Sequence, residues 1–356
     1  MTTRFAIYQP RLPDELLSSW LVRLALARGC DPLVLTSHLW PHRRVWTTDL
    51  DRGTIGSPGS SSGLSNDDFA ALTLATIAPK VASVTTAGTP VWPWILAAGC
   101  RNRIRYGGLQ FCPACLASDT RPYYRRRWRL AWHTGCPAHD RALIDHCPAC
   151  GTVLEPHRLT LKDAHIALCA HCKADLRDQP HGPWSSHAAR FQKIADHAVE
   201  RGTANYGDIA IPATEWFRLA RVIVRMLRAA GRPGHQSIAR LFAGLGLDVS
   251  TIRSPATGLP LELLPTSDRS ALLAFASQIL ALRPGALADA AVSTGLTRSA
   301  LMAVGGDLPQ CLNQLVSVLP LGESLRQRKL PRKRHRPRPR AAVEQMVARL
   351  QRKLRS

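Results

Sequence analysis

Four short ligand pairs between Cys112 and Cys172 limit what this chain can fold into more than any other feature. They read CPAC at 112–115, CPAH at 136–139, CPAC at 147–150 and CAHC at 169–172. A two-residue gap lets both side chains of a pair reach one metal ion, and a second pair completes a tetrahedron of soft ligands. Pairing in chain order joins Cys112 and Cys115 to Cys136 and His139 across 20 residues, then Cys147 and Cys150 to Cys169 and Cys172 across 18. Proline inside the CPAC turns and Gly151 after the second of them suit tight reversals. Repeated C-x-x-C pairs are not a disulfide pattern, and a redox C-x-x-C needs a βαβ context that is missing here. The expectation is two structural zinc ions, each with four protein ligands and no open position for chemistry. His133, His146 and His171 read as surface or supporting residues, with His133 a competitor of His139 for the first ion.

Charge narrows the class of partner. Forty-seven basic residues against 25 acidic ones give a net charge of +22 and a pI near 10.6. A polyanion, with nucleic acid first, is the expected partner. Forty of the basic residues are arginine, which makes bidentate phosphate and guanine contacts that lysine cannot. No apolar run is long enough to span a bilayer and no cleavable leader is visible, so no membrane is expected, and a cytoplasmic, bacterial setting is.

The pattern along the chain reads as mainly α and multidomain, divided into 1–110, 111–182, 183–325 and 326–356. In the first part, Leu16, Leu17, Trp20, Leu21, Leu24 and Ala27 recur at helical spacing from about Asp14. Gly29 would stop that helix, Asp31 cap the next and Pro32 open it, with Leu33, Leu35 and Leu39 as its apolar face: a helix-turn-helix-like unit. A short helix is expected over 67–77. Trp92 and Trp94 read as core anchors against the zinc-binding part.

Within that part, RPYYRRRWRLAW at 121–132 alternates like a strand. Tyr124, Arg126, Trp128 and Leu130 would share one face. Arg125, Arg127 and Arg129 would share the other, free of nearby acids and able to grip phosphate or an acidic protein surface. Helices are expected over 215–231, 235–246 and 268–282. Residues 286–304 read as a second helix-turn-helix: Ala288, Ala291 and Val292 pack the first helix, Thr297 caps the second, and Thr297, Arg298 and Ser299 lead it. The run 326–340 holds nine Arg/Lys, no acid and three prolines. It is an extended arm for phosphates, Arg332, Lys333 and Arg334 included, before a helical pattern over 341–356.

Three stretches together resemble the TniQ family of transposition target-selection proteins, which includes TnsD-like members. One is Pro13, Glu15, Leu16, Ser18/Ser19, Trp20, Leu21, Arg23, Leu24 and Ala25; another is the Cys112–His139 pair with Trp132-His133 between. The third is the continuation through Cys147, Cys150 and Gly151 to Cys169 and Cys172. The likeness covers roughly 10–175. It implies an N-terminal helix-turn-helix, two zinc-finger motifs (zinc-ribbon or treble-clef-like) and a helical C-terminal domain. It also implies a non-catalytic adaptor that links target DNA, or a DNA-bound CRISPR effector with guide RNA, to an AAA+ regulator ATPase; a homodimer is allowed. The rival readings are a zinc-dependent transcription regulator and a RING-like ligase. The ligase fits poorly, because seven residues separate His139 from Cys147. No phosphate-binding glycine-lysine loop, acidic cluster or H-E-x-x-H supports an enzyme.

Overall fold

The first helix starts at Leu17, three residues later than its apolar periodicity suggests. In the computed structural model α1 spans Leu17–Ala27, because the residues before it are committed elsewhere. Asp14 has a left-handed backbone, φ 56°. Glu15 bridges to Arg125, and the Leu16 amide donates to the Tyr124 carbonyl at 2.9 Å. Gly29, φ 64°, turns the chain out of α1. Helix α2, Pro32–Leu39, opens on its proline. Asp31 does not cap it; its carboxylate accepts instead from the Leu161 amide at 2.7 Å. Leu35 and Leu39 are buried, whereas Leu33 is 47% exposed and belongs to no core.

The structure describes residues 9–322, apart from 44, 48, 59–63, 84–90, 102–103, 181 and 253–258, together with 344, 347 and 351. It divides into two units, Met1–Pro320 and Leu321–Ser356. In the second, Glu344, Val347 and Gln351 are helical and exposed; the arm at 326–340, with Arg332, Lys333 and Arg334, lies outside the described residues.

Instead of one helix over 67–77 there are two, α3 (Asn66–Leu72, capped by Ser65) and α4 (Ala78–Val81). Thr73 turns extended between them, and the Leu74 amide donates to the Asp51 carbonyl at 2.7 Å. A hairpin of β1 (Ala98–Arg101) and β2 (Ile104–Gly107) precedes α5 (Pro113–Ser118). A second, two residues a strand, pairs β3 (Gly135–Cys136) with β4 (Arg141–Ala142).

The rest is mostly helical, with one β-hairpin that its periodicity does not indicate. Helix α6 (Ser186–Arg201) is capped by Ser185 and ends at left-handed Gly202. A hairpin of β5 (Thr203–Tyr206) and β6 (Ile209–Pro212) leads into α7 (Ala213–Ala230). Then come α8 (Gln236–Gly244), α9 (Thr266–Leu280), α10 (Pro284–Ser293), α11 (Arg298–Gly305) and α12 (Asn313–Val318). Among the described residues, no single helix is long and apolar enough to cross a membrane.

Three apolar cores run through the first unit, and they ignore chain order. One unites α1, α2 and α3; one surrounds both cysteine clusters and takes Leu16 and Val22 from the N-terminal end. The largest is built on α6, α7 and α9 and takes Trp94, Leu130 and Trp132 from upstream. Trp94 stacks on Phe191 and meets Phe217 at 5.4 Å. The tryptophans are core anchors as expected, but their partners are the later helices and not the cysteine clusters.

Candidate metal centres and the clamp that holds them

Each cysteine pair is presented by a turn its own sequence shapes. Cys112 stands just before α5, Pro113 occupies the first helical position, and Cys115 follows on the first turn. Cys136 closes β3 and His139 lies in the reversal towards β4. Gly135 is obligatory there, since a Cβ on it would come within 2.0 Å of the Trp184 ring. In the other three pairs the fourth residue after the leading cysteine is left-handed: Asp140 (φ 48°), Gly151 (φ 70°) and Lys173 (φ 63°). Gly151 adopts this conformation freely, while Lys173 carries a strain of about 1 kcal/mol or more. The Lys173 amide donates to Cys169 O at 2.9 Å and its ammonium meets Asp163 at 2.8 Å, which holds it there.

The eight side chains gather as two sets of four. Cys112, Cys115, Cys136 and His139 form one and Cys147, Cys150, Cys169 and Cys172 the other, with ligand atoms within 4.8 Å of one another. In the first, Cys115 and Cys136 Sγ are 3.5 Å apart, and His139 Nδ1 lies 3.6, 3.4 and 3.5 Å from Cys112, Cys115 and Cys136. In the second, Cys147–Cys172 is 3.7 Å and Cys150–Cys169 3.8 Å. A tetrahedral ion at about 2.3 Å from sulfur and 2.0–2.1 Å from nitrogen requires edges of about 3.8 and 3.5 Å. A disulfide would need about 2.05 Å. Both clusters therefore fit zinc and not cystine, in the in-order pairing.

Ionisation within the clusters points the same way. Cys112 and Cys115 donate to Cys136 and hold its thiol well below the usual range, while Cys112 and Cys136 push Cys115 up. The Thr152 hydroxyl draws Cys150 down to about 6, and burial pushes Cys147 up to about 12. Unscreened thiolates at these separations repel, so the full set ionises only around a cation.

His133 takes no part. Its Nε2 lies 2.7 Å from Asp196 Oδ1, which also accepts from Trp132 Nε1 at 2.8 Å. The competition with His139 for the first ion is thereby removed.

The run at 121–132 is not a strand. Residues Arg126–Arg129 form a 3-10 turn, and acids reach the run both from Asp119 just before it and from far along the chain. Arg129 is buried, donating to Asp51 at 2.8 Å, to both oxygens of Asp49 at 2.9 Å and to Leu96 O at 2.8 Å. Arg125 lies over the Tyr123 and Trp128 rings and pairs with Asp119 at 2.7 Å. Arg127 pairs with Asp14 at 2.6 Å but stays half exposed. The common exposed face expected for Arg125, Arg127 and Arg129 does not exist.

The N-terminal motif proves to be a clamp. Arg23 Nη1 meets both Glu15 oxygens, Ser19 Oγ donates to Glu15 Oε1 at 3.1 Å, and Tyr124 N donates to Ser19 Oγ at 2.9 Å. The Ser18 amide donates to Asp51, the acid that also holds Arg129. Thus Glu15, Ser18, Ser19 and Arg23 bind α1 to the cysteine-bearing segment. Sequence reading singled out these motif residues but not Asp14, Asp49 or Asp51, whose separation from their arginines carries no local signal.

At the other candidate reader, Thr297 caps α11 by accepting the Ala300 amide at 3.2 Å, and Arg298 and Ser299 are exposed. Gly295 (φ 70°) and buried Leu296 make the turn from α10. Val292 is not a packing residue, being 49% exposed.

The TniQ family model matches residues 6–143, which hold the Glu15–Arg23 clamp and the whole first cluster. Over those residues the chain carries a TniQ domain, the family its motifs resemble. The second cluster lies beyond the matched residues. No curated protein matches the chain.

Proposed function

We propose that this chain is a non-catalytic target-selection adaptor, coupling target DNA or a DNA-bound CRISPR effector with its guide RNA to an AAA+ regulator ATPase. The observation that carries the reading is the TniQ match over residues 6–143, in which motif and first cluster form one clamped structure. Two zinc ions, held by Cys112, Cys115, Cys136 and His139 and by Cys147, Cys150, Cys169 and Cys172, stiffen that structure. Four-ligand closure leaves them no catalytic position. The clamp occupies the polar side of α1, so partner contacts fall to the half-exposed Arg127 and the outer side of α2, and to the basic run 326–340, which lies outside the described residues. The four-part division of the chain, with helix-turn-helix units at the N-terminus and at 286–304, belongs to the same proposal.

Arg298 separates an adaptor from an independent reader. A bidentate arginine–guanine contact discriminates by about 1–3 kcal/mol. The adaptor has no sequence preference of its own to lose, so Arg298→Ala leaves competition against random DNA unchanged while capture of the purified ATPase persists. A nanomolar, sequence-specific complex of the chain alone, abolished by Arg298→Ala, would overturn the adaptor in favour of a zinc-dependent transcription regulator.

A further inference from the structure

Trp46, Tyr106 and His157 line one cavity of about 330 Å³. The fold collects them from three parts of the chain. Gly107 lets strand β2 lie against residue 154, since a Cβ on it would come within 2.6 Å of the Leu154 carbonyl oxygen. Arg105 and Tyr106, just before it, thereby share the cavity with the 3-10 turn Pro156–Arg158. Within that turn His157 stacks on Trp46, with 14° between the ring planes. The volume lies at the small end for ligand pockets, and aromatic walls with a few polar groups are their usual lining.

The polar groups around this cavity form two tiers. Inside, Asp49 and Asp51 share Arg129, which is 2% exposed. Its Nε meets no hydrogen-bond acceptor among the described residues, and a buried donor left so is costly unless a ligand supplies one. Two carboxylates against one cation repel a phosphate from the interior. Both acids are already committed to Arg129 and the Ser18 amide, which leaves no open pair for a divalent ion. At the rim the balance reverses. Glu155 is shared by Arg105 at 2.7 Å and Arg158 at 3.0 Å, with the two arginine side chains 50% and 46% exposed. Both arginines also line an adjoining hollow of about 600 Å³, bordered by Thr152 and His171. An aromatic interior that excludes phosphate, under a rim with one cation in surplus, fits a neutral heterocycle carrying an anionic tail. A nucleotide has that form: its base stacks on aromatic rings and its phosphate pairs with guanidinium. A base within a duplex is already paired and stacked, so only an unpaired one enters.

We infer that the cavity between residues 49–51, the β1–β2 hairpin and residues 154–158 binds the base of an unpaired nucleotide. Trp46, Tyr106 and His157 are its aromatic walls, and Arg105 and Arg158 meet the phosphate at its rim. The site stands independently of the adaptor reading.

The test uses the full-length, zinc-loaded chain, with zinc content and melting confirming the fold of each variant. Anisotropy follows a labelled mixed-sequence single strand, an abasic strand of equal length and charge, and a fully paired duplex. The deoxynucleoside monophosphates, their nucleosides and arginine amide are titrated separately by calorimetry. The unmutated chain should bind the base-bearing strand more tightly than the abasic one. Tyr106→Leu keeps apolar bulk but removes ring and hydroxyl. It should weaken the base-bearing strand by about five- to a hundredfold, the range of one base–aromatic stack, and leave the abasic strand and the duplex unchanged. Arg158→Gln should bring monophosphate affinity towards that of the nucleosides and flatten the single-strand salt slope by about 0.7. Arg240→Gln, exposed on α8 away from the cavity, should leave the preference for monophosphates intact. If Tyr106→Leu unfolds, the abasic comparison on the unmutated chain and Arg158→Gln still decide. Equal affinity for base-bearing and abasic strands, with no binding of monophosphates, overturns the site while the adaptor reading stands. Tyr106-dependent binding of monophosphates without a preference for the base-bearing strand keeps the site and makes a free nucleotide its ligand. Binding of arginine amide and not of nucleotides overturns the proposal in favour of a basic peptide.

Discussion

Arg23 Nη1 contacts both carboxylate oxygens of Glu15, at 2.8 and 2.7 Å, with the two side chains only 7% and 0% exposed. The pair sits beneath α1, where Glu15 also holds Ser19 and, through it, the Tyr124 amide. Its role is therefore to join two parts of the chain that lie over a hundred residues apart in sequence.

Breaking this pair should cost far more than replacing it. Arg23→Met leaves a buried carboxylate without its partner, a loss on the order of 3–5 kcal/mol. The double variant Glu15→Gln/Arg23→Met should recover part of that loss, and a double-mutant cycle in urea measures the coupling. Additive single losses would show that the two side chains act separately.

Metal analysis of the purified chain should return two zinc ions. Cys112→Ser or Cys147→Ser should lose one and melt the surrounding core, because metal binding and folding are one free energy in such sites. A strong chelator should do the same to the unmutated chain. A count of zero or one in protein never exposed to chelator would refute the two-centre assignment.

Two neighbouring arginines should behave oppositely. Arg129→Ala strips the buried Asp51 and its neighbour Asp49 of their cation and should destabilise by about 3–5 kcal/mol. Arg127→Ala removes a half-exposed pair with Asp14 and should cost about 0–1 kcal/mol. If Arg127→Ala abolishes partner capture with stability intact, it is a contact residue. Equal destabilisation by both would contradict the burial contrast.

Acid sensitivity should have a contribution from His157. It stacks on Trp46 with ring centroids 4.8 Å apart, and burial lowers its pKa from 6.5 to about 4. Between those values the unfolded chain binds the proton and the folded one does not, so stability rises with pH across that window. Full at neutral pH, the contribution is lost progressively below 6.5, by up to about 3 kcal/mol. His157→Phe should flatten the difference in stability between pH 7 and 5 relative to the unmutated chain. An identical pH profile would rule this titration out.

Much of the candidate metal site was legible because its signal is local. A C-x-x-C pair and Gly151 at a reversal act within five residues, and short-range sterics decide them; Pro113, expected to shape a turn, opens helix α5 instead. The α7 helix was equally plain, since one apolar side recurs through eighteen residues. The arginines of 125–129 were misread for the converse reason. The partners Asp14, Asp49 and Asp51 are brought in by tertiary folding, and a charge run counted in sequence cannot register them; Asp119, six residues before Arg125, was within reach of the sequence and was overlooked. Leu33 and Val292 show the same limit for apolar residues, where helical spacing offers several faces and packing selects one.

The placement of Trp94 and Trp132 among later helices bears on how the chain is made. A ribosome delivers both indoles well before Phe191 and Phe217 exist to cover them. At about 5–20 residues per second, the interval from Trp94 to Phe217 is on the order of ten seconds. Within that interval both cysteine clusters are completed, the second at Cys172, while the indoles of Trp94 and Trp132 stay wet. Synthesis halted near residue 182 would release a zinc-competent but adhesive fragment, so premature termination here should yield aggregates and not a working half.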